Sequence, residues 1–123
     1  DRVTMVTKTM VADNEHFRTL WKYAETARRR LILATIRHHQ TAKSSLTLPM
    51  LEEELEQKGV PIPKDNGLGD DLDFLRELEM VRLNQDGFLN YYTIEVPLFG
   101  SWIDLHQDIE DLVKRAQNDS PIN

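Results

Sequence analysis

The sequence contains no cysteine, and it has no long apolar run. Without cysteine there are no disulfides, thiolate zinc sites or cysteine nucleophiles, and this lack is compatible with a reducing compartment. No apolar stretch approaches the roughly 20 residues that a membrane-spanning helix needs. We therefore expect a cytoplasmic chain with no membrane partner.

Glycine is also scarce, at five residues in 123. Gly67 and Gly69 lie close together, but they lack the third glycine and the following Lys-Ser/Thr of a phosphate-binding loop, so we predict a plain turn. His38 and His39 are adjacent, so on a helix they diverge by about 100°, which favours helix-end polar roles over shared metal ligation. No serine or threonine stands in a nucleophile-elbow context. We therefore expect no catalysis, no metal and no cofactor.

Acidic charge is abundant and unevenly distributed along the chain. Residues 1–47 contain nine Lys/Arg and four Asp/Glu, whereas residues 48–123 contain six and seventeen, for a formal net charge of −6. This asymmetry indicates two surfaces with different partners.

The length of 123 residues fits one domain. We assign residues 1–12 to a linker or extended segment, 13–117 to the domain, and 118–123 to a polar tail. The chain begins at Asp1 with no signal segment, which indicates a piece of a longer polypeptide.

Apolar spacing predicts helices in the first half of the chain. From an N-cap at Asp13, apolar residues recur at steps of three and four as far as His38, which fits one long helix or two short ones. Its second half, around Leu31–Leu33, is the more apolar and is predicted to be the central helix. Leu46–Leu48 could form a short strand. A further helix would begin near Pro49.

The Pro49 helix is predicted to stop at Gly59 and to turn three apolar residues inward: Met50, Leu51 and Leu55. After a proline- and glycine-rich connection, a second helix follows with leucines at steps of three and four: Leu68, Leu72, Leu75 and Leu78. These two helices have the order of a helix-turn-helix.

A hairpin and a long final helix complete the predicted order. Asp86-Gly87 predicts a tight turn between strands at 81–83 and 88–96. Pro97 can start the final helix, whose apolar residues follow a heptad spacing: Leu98, Trp102, Leu105, Ile109, Leu112 and Ala116. The predicted fold is mainly α with a small β-hairpin, a winged helix-turn-helix with an additional C-terminal helix.

The helix in the recognition position is predicted to carry an acidic docking face made of Asp70, Asp71, Asp73 and Glu77. Acidic side chains at this position would repel the phosphates of a nucleic acid. This argues against the commonest use of a winged helix.

A basic patch is predicted on the first helical unit, formed by Arg28, Arg29, Arg30, Arg37 and Lys43. The patch could meet phosphates. Alternatively, it pairs with the acidic second helix of this same domain or with an acidic surface of the parent protein. Three consecutive arginines cover most of a helix circumference, so at least one should pack its stem against the core.

The final helix has two possible roles. Leu98, Phe99, Trp102 and Ile103 are predicted to close the core, whereas three residues farther along could reach beyond the body and pair with a second copy: Ile109, Leu112 and Val113. The chain could therefore form a homodimer through the end of this helix.

Four segments together resemble a known family: Phe17–Trp21, Arg30–Ala34, Leu72–Leu83 and Tyr92–Ile103. They resemble the winged-helix domain that follows the nucleotide-binding core in bacterial AAA+ and STAND-type ATPases, over roughly residues 13 to 105. The resemblance implies a module that packs against an ATPase core, holds it inactive or transmits its state, and sometimes engages other proteins or DNA. The family's phosphate-binding loop and Mg²⁺-binding acids have no matching positions here, so no ATPase activity is implied for this chain.

Three functional hypotheses follow. The first is a non-catalytic winged-helix interaction and regulatory module of a larger ATPase, whose partner is the ATPase core or another protein. The second is a DNA-binding transcription regulator that uses the basic first helix and Arg82 of the wing, although the acidic face makes nucleic acid the less favoured partner. The third is a structural dimerisation domain.

Overall fold

A computed structural model describes residues 14–118, so the predicted segment 1–12, the predicted N-cap Asp13 and most of the predicted tail lie outside the described residues. The described part is mainly helical and contains one two-stranded antiparallel sheet, as predicted. Its elements are a helix over residues 14–23 (α1), α2 (Ala27–Thr41), α3 (Leu48–Gln57), α4 (Gly69–Glu77), β1 (Val81–Asp86), β2 (Leu89–Ile94), α5 (Pro97–His106) and α6 (Ile109–Gln117).

The first helical unit consists of two helices. Glu25 adopts a positive φ of 74°, which a helix cannot contain, so α1 and α2 are separate. The side chain of Thr26 then caps α2 by accepting a hydrogen bond from the main-chain N–H of Arg29. Of the two arrangements that the spacing allowed, the structure has the two short helices.

Helix α2 is the centre of the core, as predicted. Leu31, Ile32 and Leu33 are fully buried, and α2 contacts α4, α5, α6 and β2. Because these three consecutive residues cover most of the helix circumference, neighbouring elements can pack around α2 on several sides. No helix within residues 14–118 is long and apolar enough to cross a membrane.

Helix α3 begins where Thr47 accepts a hydrogen bond from the N–H of Met50, and Gly59 follows its end with a φ of +78°. Leu51 and Leu55 are buried as predicted, but the prediction for Met50 is wrong, since it is 40% exposed. Leu51 and Leu55 are four residues apart and so share one face of the helix. Met50 comes one residue before Leu51, so its side chain lies about 100° away from that face. The predicted strand at 46–48 is reduced to a single bridge between Leu46 and Tyr92.

The hairpin pairs Val81 with Ile94 and ends at the pair Asp86–Leu89. Its two-residue loop is therefore Gly87-Phe88, one residue later than the predicted Asp86-Gly87 turn. Gly87 has a φ of +63°, a conformation that glycine adopts without a steric penalty.

The predicted single final helix is wrong, because Gln107 is extended and separates α5 from α6. Asp108 caps α6 by accepting a hydrogen bond from the N–H of Glu110. The heptad stripe is thereby interrupted, and Leu98 and Leu105 are 60% and 77% exposed. The predicted core role of Leu98 is wrong. Phe99, Trp102 and Ile103 form the buried face of α5, as predicted.

Candidate interaction surfaces

The N-terminal ends of α2 and α4 are joined by a buried ion cluster. Nε and Nη2 of Arg28 donate to the two carboxylate oxygens of Asp71 at 2.7 and 3.2 Å, and Nε of Arg29 donates to Asp71 Oδ1 at 2.9 Å. Asp71 is 2% and Arg28 5% exposed. The guanidinium carbon of Arg29 also lies 4.0 Å from the centre of the Phe74 ring. We call Arg28, Arg29 and Asp71 the arginine–aspartate cluster.

This cluster corrects the predicted acidic docking face. Asp71 was expected on the solvent side of its helix, but α4 turns it toward α2, next to the buried Leu72 and Leu75. A carboxylate in this position is stable because two guanidinium groups satisfy its oxygens. Of the four predicted residues, Asp70, Asp73 and Glu77 are exposed, and we call these three the acidic face of α4.

The predicted basic patch is not a single surface. Arg28 and Arg29 pair inside the domain, as one alternative expected, but their partner is Asp71 of α4, the helix in the recognition position. The predicted burial of one arginine stem is confirmed by Arg28. Arg30 donates to the carbonyl oxygen of Trp21 at 3.1 Å, and Arg37 forms an ion pair with Asp104 at 3.0 Å. Both side chains thus serve contacts between helices.

Lys43 lies apart from the rest of the predicted patch. It follows the end of α2, is exposed, and has a φ of +58°. Of the five predicted basic residues it is the one whose side chain is mainly in solvent. The five predicted basic residues therefore do not form one continuous surface.

The acidic face of α4 borders a groove that sequence reasoning missed. The groove lies between α4 and β1 and is lined by Asp73, Arg76, Glu77, Val81, Arg82, Leu83 and Glu95. It continues along the hairpin past Asn84, Gln85 and Tyr91. At the root of the hairpin, burial raises the pKa of the Tyr92 phenol above its ordinary value. The groove depends on how α4 packs against the hairpin, which no local pattern specifies.

The predicted self-association residues lie on the inner side of α6. Leu112 is 4% exposed, and Ile109 and Val113 are half-buried against the core. The prediction that they reach beyond the body is wrong, because the break at Gln107 lets α6 fold back onto α2. Leu112 is therefore turned away from solvent, and Ile109 and Val113 are only partly exposed.

The histidines have structural contacts. His38 and His39 lie in the last turn of α2, as predicted, and His39 Nε2 is 2.9 Å from Glu54 Oε1 on α3. The ring of His106 lies 5.2 Å from that of Trp102. Among residues 14–118 there is no group of three or more histidine or acidic side chains that could hold a metal ion.

Comparison of the chain with protein-family models, with curated proteins and with solved structures gave no match.

Proposed function

We propose that this chain is a winged-helix module that acts through protein contacts and carries out no catalysis. The order of its elements supports this assignment: α3 and α4 follow the central helix α2 as a helix-turn-helix, and the β1–β2 hairpin follows them as a wing. The bridge from Leu46 to Tyr92 lies where a third strand would pair with the wing.

The observation that carries the proposal is the arginine–aspartate cluster. It places two of the five predicted basic residues against Asp71 inside the domain, while Asp70, Asp73 and Glu77 remain exposed on the helix in the recognition position. Such a helix would repel nucleic-acid phosphates, and it complements a basic protein surface. A protein is therefore the partner class that the charge distribution favours.

We further propose that the parent protein is a bacterial ATPase of the AAA+ or STAND type, in which this module contacts the nucleotide-binding core. This step rests on the resemblance of the segments between Phe17 and Ile103 to the corresponding domain of those ATPases. The acidic face of α4 is the surface that we assign to the contact.

The test begins with the full open reading frame, which should contain a phosphate-binding loop upstream of this domain. In the full-length protein, Asp70→Asn, Asp73→Asn and Glu77→Gln combined should change the rate of ATP hydrolysis several-fold, because they remove the charge of the docking face. Glu110→Gln, an exposed carboxylate on α6, is the matched control and should leave the rate unchanged. An open reading frame without the loop, or equal rates for all variants, would overturn the ATPase assignment.

A further inference from the structure

The two edges of the hairpin differ in their hydrogen bonding. On the outer edge of β2, the N–H of Tyr92 donates to the carbonyl oxygen of Leu46, and the N–H of Ile94 donates to Oε1 of Gln40, each at 2.9 Å. In an antiparallel ladder, successive residues direct their main-chain groups alternately toward the partner strand and away from it. The main-chain groups of Tyr92 and Ile94 point away from β1. The main-chain groups of their paired residues, Leu83 and Val81, must therefore point away from β2.

The outer edge of β1 is consequently open. Val81, Leu83 and, by the same alternation, Gln85 direct their N–H and C=O groups outward. Within residues 14–118, no main-chain or side-chain group bonds to these outward-facing groups. An open strand edge is a template for pairing with another extended chain.

The open edge faces the groove between α4 and β1. Glu77 and Glu95 line this groove, and neither forms an ion pair within residues 14–118. Asp73 also lines it, but the side chain of Arg76 lies 3.8 Å away and offsets its charge. Arg82 lines the groove as well and forms no ion pair within residues 14–118, so the three carboxylates exceed the two arginines by one charge. The groove therefore combines unpaired main-chain groups with a small excess of negative charge, which a cation would complement.

We propose that β1 binds an extended segment of a partner protein that carries Lys or Arg at alternate positions. The segment would add a third strand to the hairpin through Val81, Leu83 and Gln85. Because side chains of a strand alternate between its two faces, one set would point toward Glu77 and Glu95. This inference rests on the proposed function, since it specifies the chemistry of the protein partner.

The probe is a capped peptide of alternating lysine and valine, Lys-Val-Lys-Val-Lys-Val, titrated into the ¹⁵N-labelled chain. Binding should shift the amide resonances of Val81, Leu83 and Gln85 more than those of β2. The same peptide with N-methyl groups at alternate main-chain nitrogens cannot donate to the edge and should bind about tenfold more weakly. A peptide with glutamate in place of lysine should not bind.

Two sets of variants of the protein test the strand edge and the carboxylates of the groove. Gln85→Pro removes an outward-facing N–H without removing a ladder bond, so it should weaken binding about three- to tenfold, whereas Gln85→Ala should not. Glu77→Gln and Glu95→Gln should each weaken binding, whereas Glu56→Gln on α3 should not. Circular dichroism establishes that each variant is folded, and the N-methylated peptide provides the same test if Gln85→Pro does not fold.

Absence of binding at millimolar peptide, shifts that map away from β1, or equal affinity for the lysine and glutamate peptides would overturn the proposal. None of these outcomes affects the ATP hydrolysis experiment on the full-length protein. Failure of the edge and failure of the proposed function are therefore distinguishable.

Discussion

Single side chains fix how α4 sits on the core of this domain. Asp71 is the clearest case, because both of its oxygens accept hydrogen bonds from arginines of α2. Asp73, two residues later, forms only an exposed contact with Arg76 at 3.8 Å. The two residues thus have the same side chain, but Asp71 is buried and Asp73 is exposed.

We expect Asp71→Asn to lower the free energy of unfolding by about 3 kcal/mol, since it removes the anion from a buried ion cluster. Asp73→Asn should change it by less than about 0.5 kcal/mol, because solvent screens exposed pairs. Urea unfolding followed by tryptophan fluorescence measures both. Equal small effects would show that the arginine–aspartate cluster does not hold α4 in place.

Gly67 is required at the connection between α3 and α4. Its φ is +57°, and a Cβ there would overlap the Glu52 carboxylate, which accepts a hydrogen bond from the N–H of Leu68 at 2.8 Å. Gly67→Ala should therefore lower the free energy of unfolding by about 2 kcal/mol, from the left-handed conformation and the displaced carboxylate together.

Gly87→Ala is the matched control for Gly67→Ala. Gly87 also has a positive φ of 63°, but a Cβ there meets nothing within 4 Å. The control should lower the free energy of unfolding by only about 1 kcal/mol. The same loss for both alanine variants would contradict the role that we assign to Glu52.

At the scale of elements, the sequence predicted most of what local signals specify. The leucine spacing of α3 and α4, the end of α3 at Gly59 and the existence of the hairpin were predictable because each depends on neighbours along the chain. The break between α5 and α6 was missed because the apolar spacing continues across it, from Leu105 to Ile109. Asp108 was the available signal, since an aspartate before an acidic first turn is typical of a helix start.

The candidate surfaces were less predictable than the elements. The burial of Asp71 and the groove beside β1 depend on how α4 packs against α2 and the hairpin. Asp71 lies one residue after Asp70, yet only Asp71 turns inward. Composition and spacing assign both to an acidic helix start, and they do not specify which carboxylate meets an arginine 42 residues away along the chain.

The attachment of the hairpin to α2 is a testable property of these elements. Gln40, near the end of α2, accepts the hydrogen bond of the Ile94 N–H across 54 residues of sequence. Gln40→Ala should increase the hydrogen-exchange rate of the Ile94 amide about three- to tenfold, since a net hydrogen bond contributes about 1 kcal/mol. Gln40→Glu keeps an acceptor oxygen and should leave the rate near that of the parent chain. Equal rates in all three proteins would contradict this account of the β2 edge.

At the scale of the whole molecule, folding pairs some of the unevenly distributed charges inside the domain and leaves others on the surface. Part of the positive charge of the first half is used inside the domain, by Arg28 and Arg29 against Asp71 and by Arg37 against Asp104. Within residues 48–118, the acidic residues remain largely on the surface. A nucleic acid that approached the recognition position would therefore encounter a negatively charged helix, α4. For this reason we propose a protein as the partner.

The most direct test of this central claim is fluorescence anisotropy of labelled duplex DNA titrated with the purified chain at low and at moderate salt. We predict no submicromolar binding at either concentration, because the exposed face of α4 repels phosphates. The combined Asp70→Lys, Asp73→Lys and Glu77→Lys variant should gain salt-sensitive binding, which shows that the assay can detect it. Submicromolar, salt-sensitive binding by the unmodified chain would contradict the account.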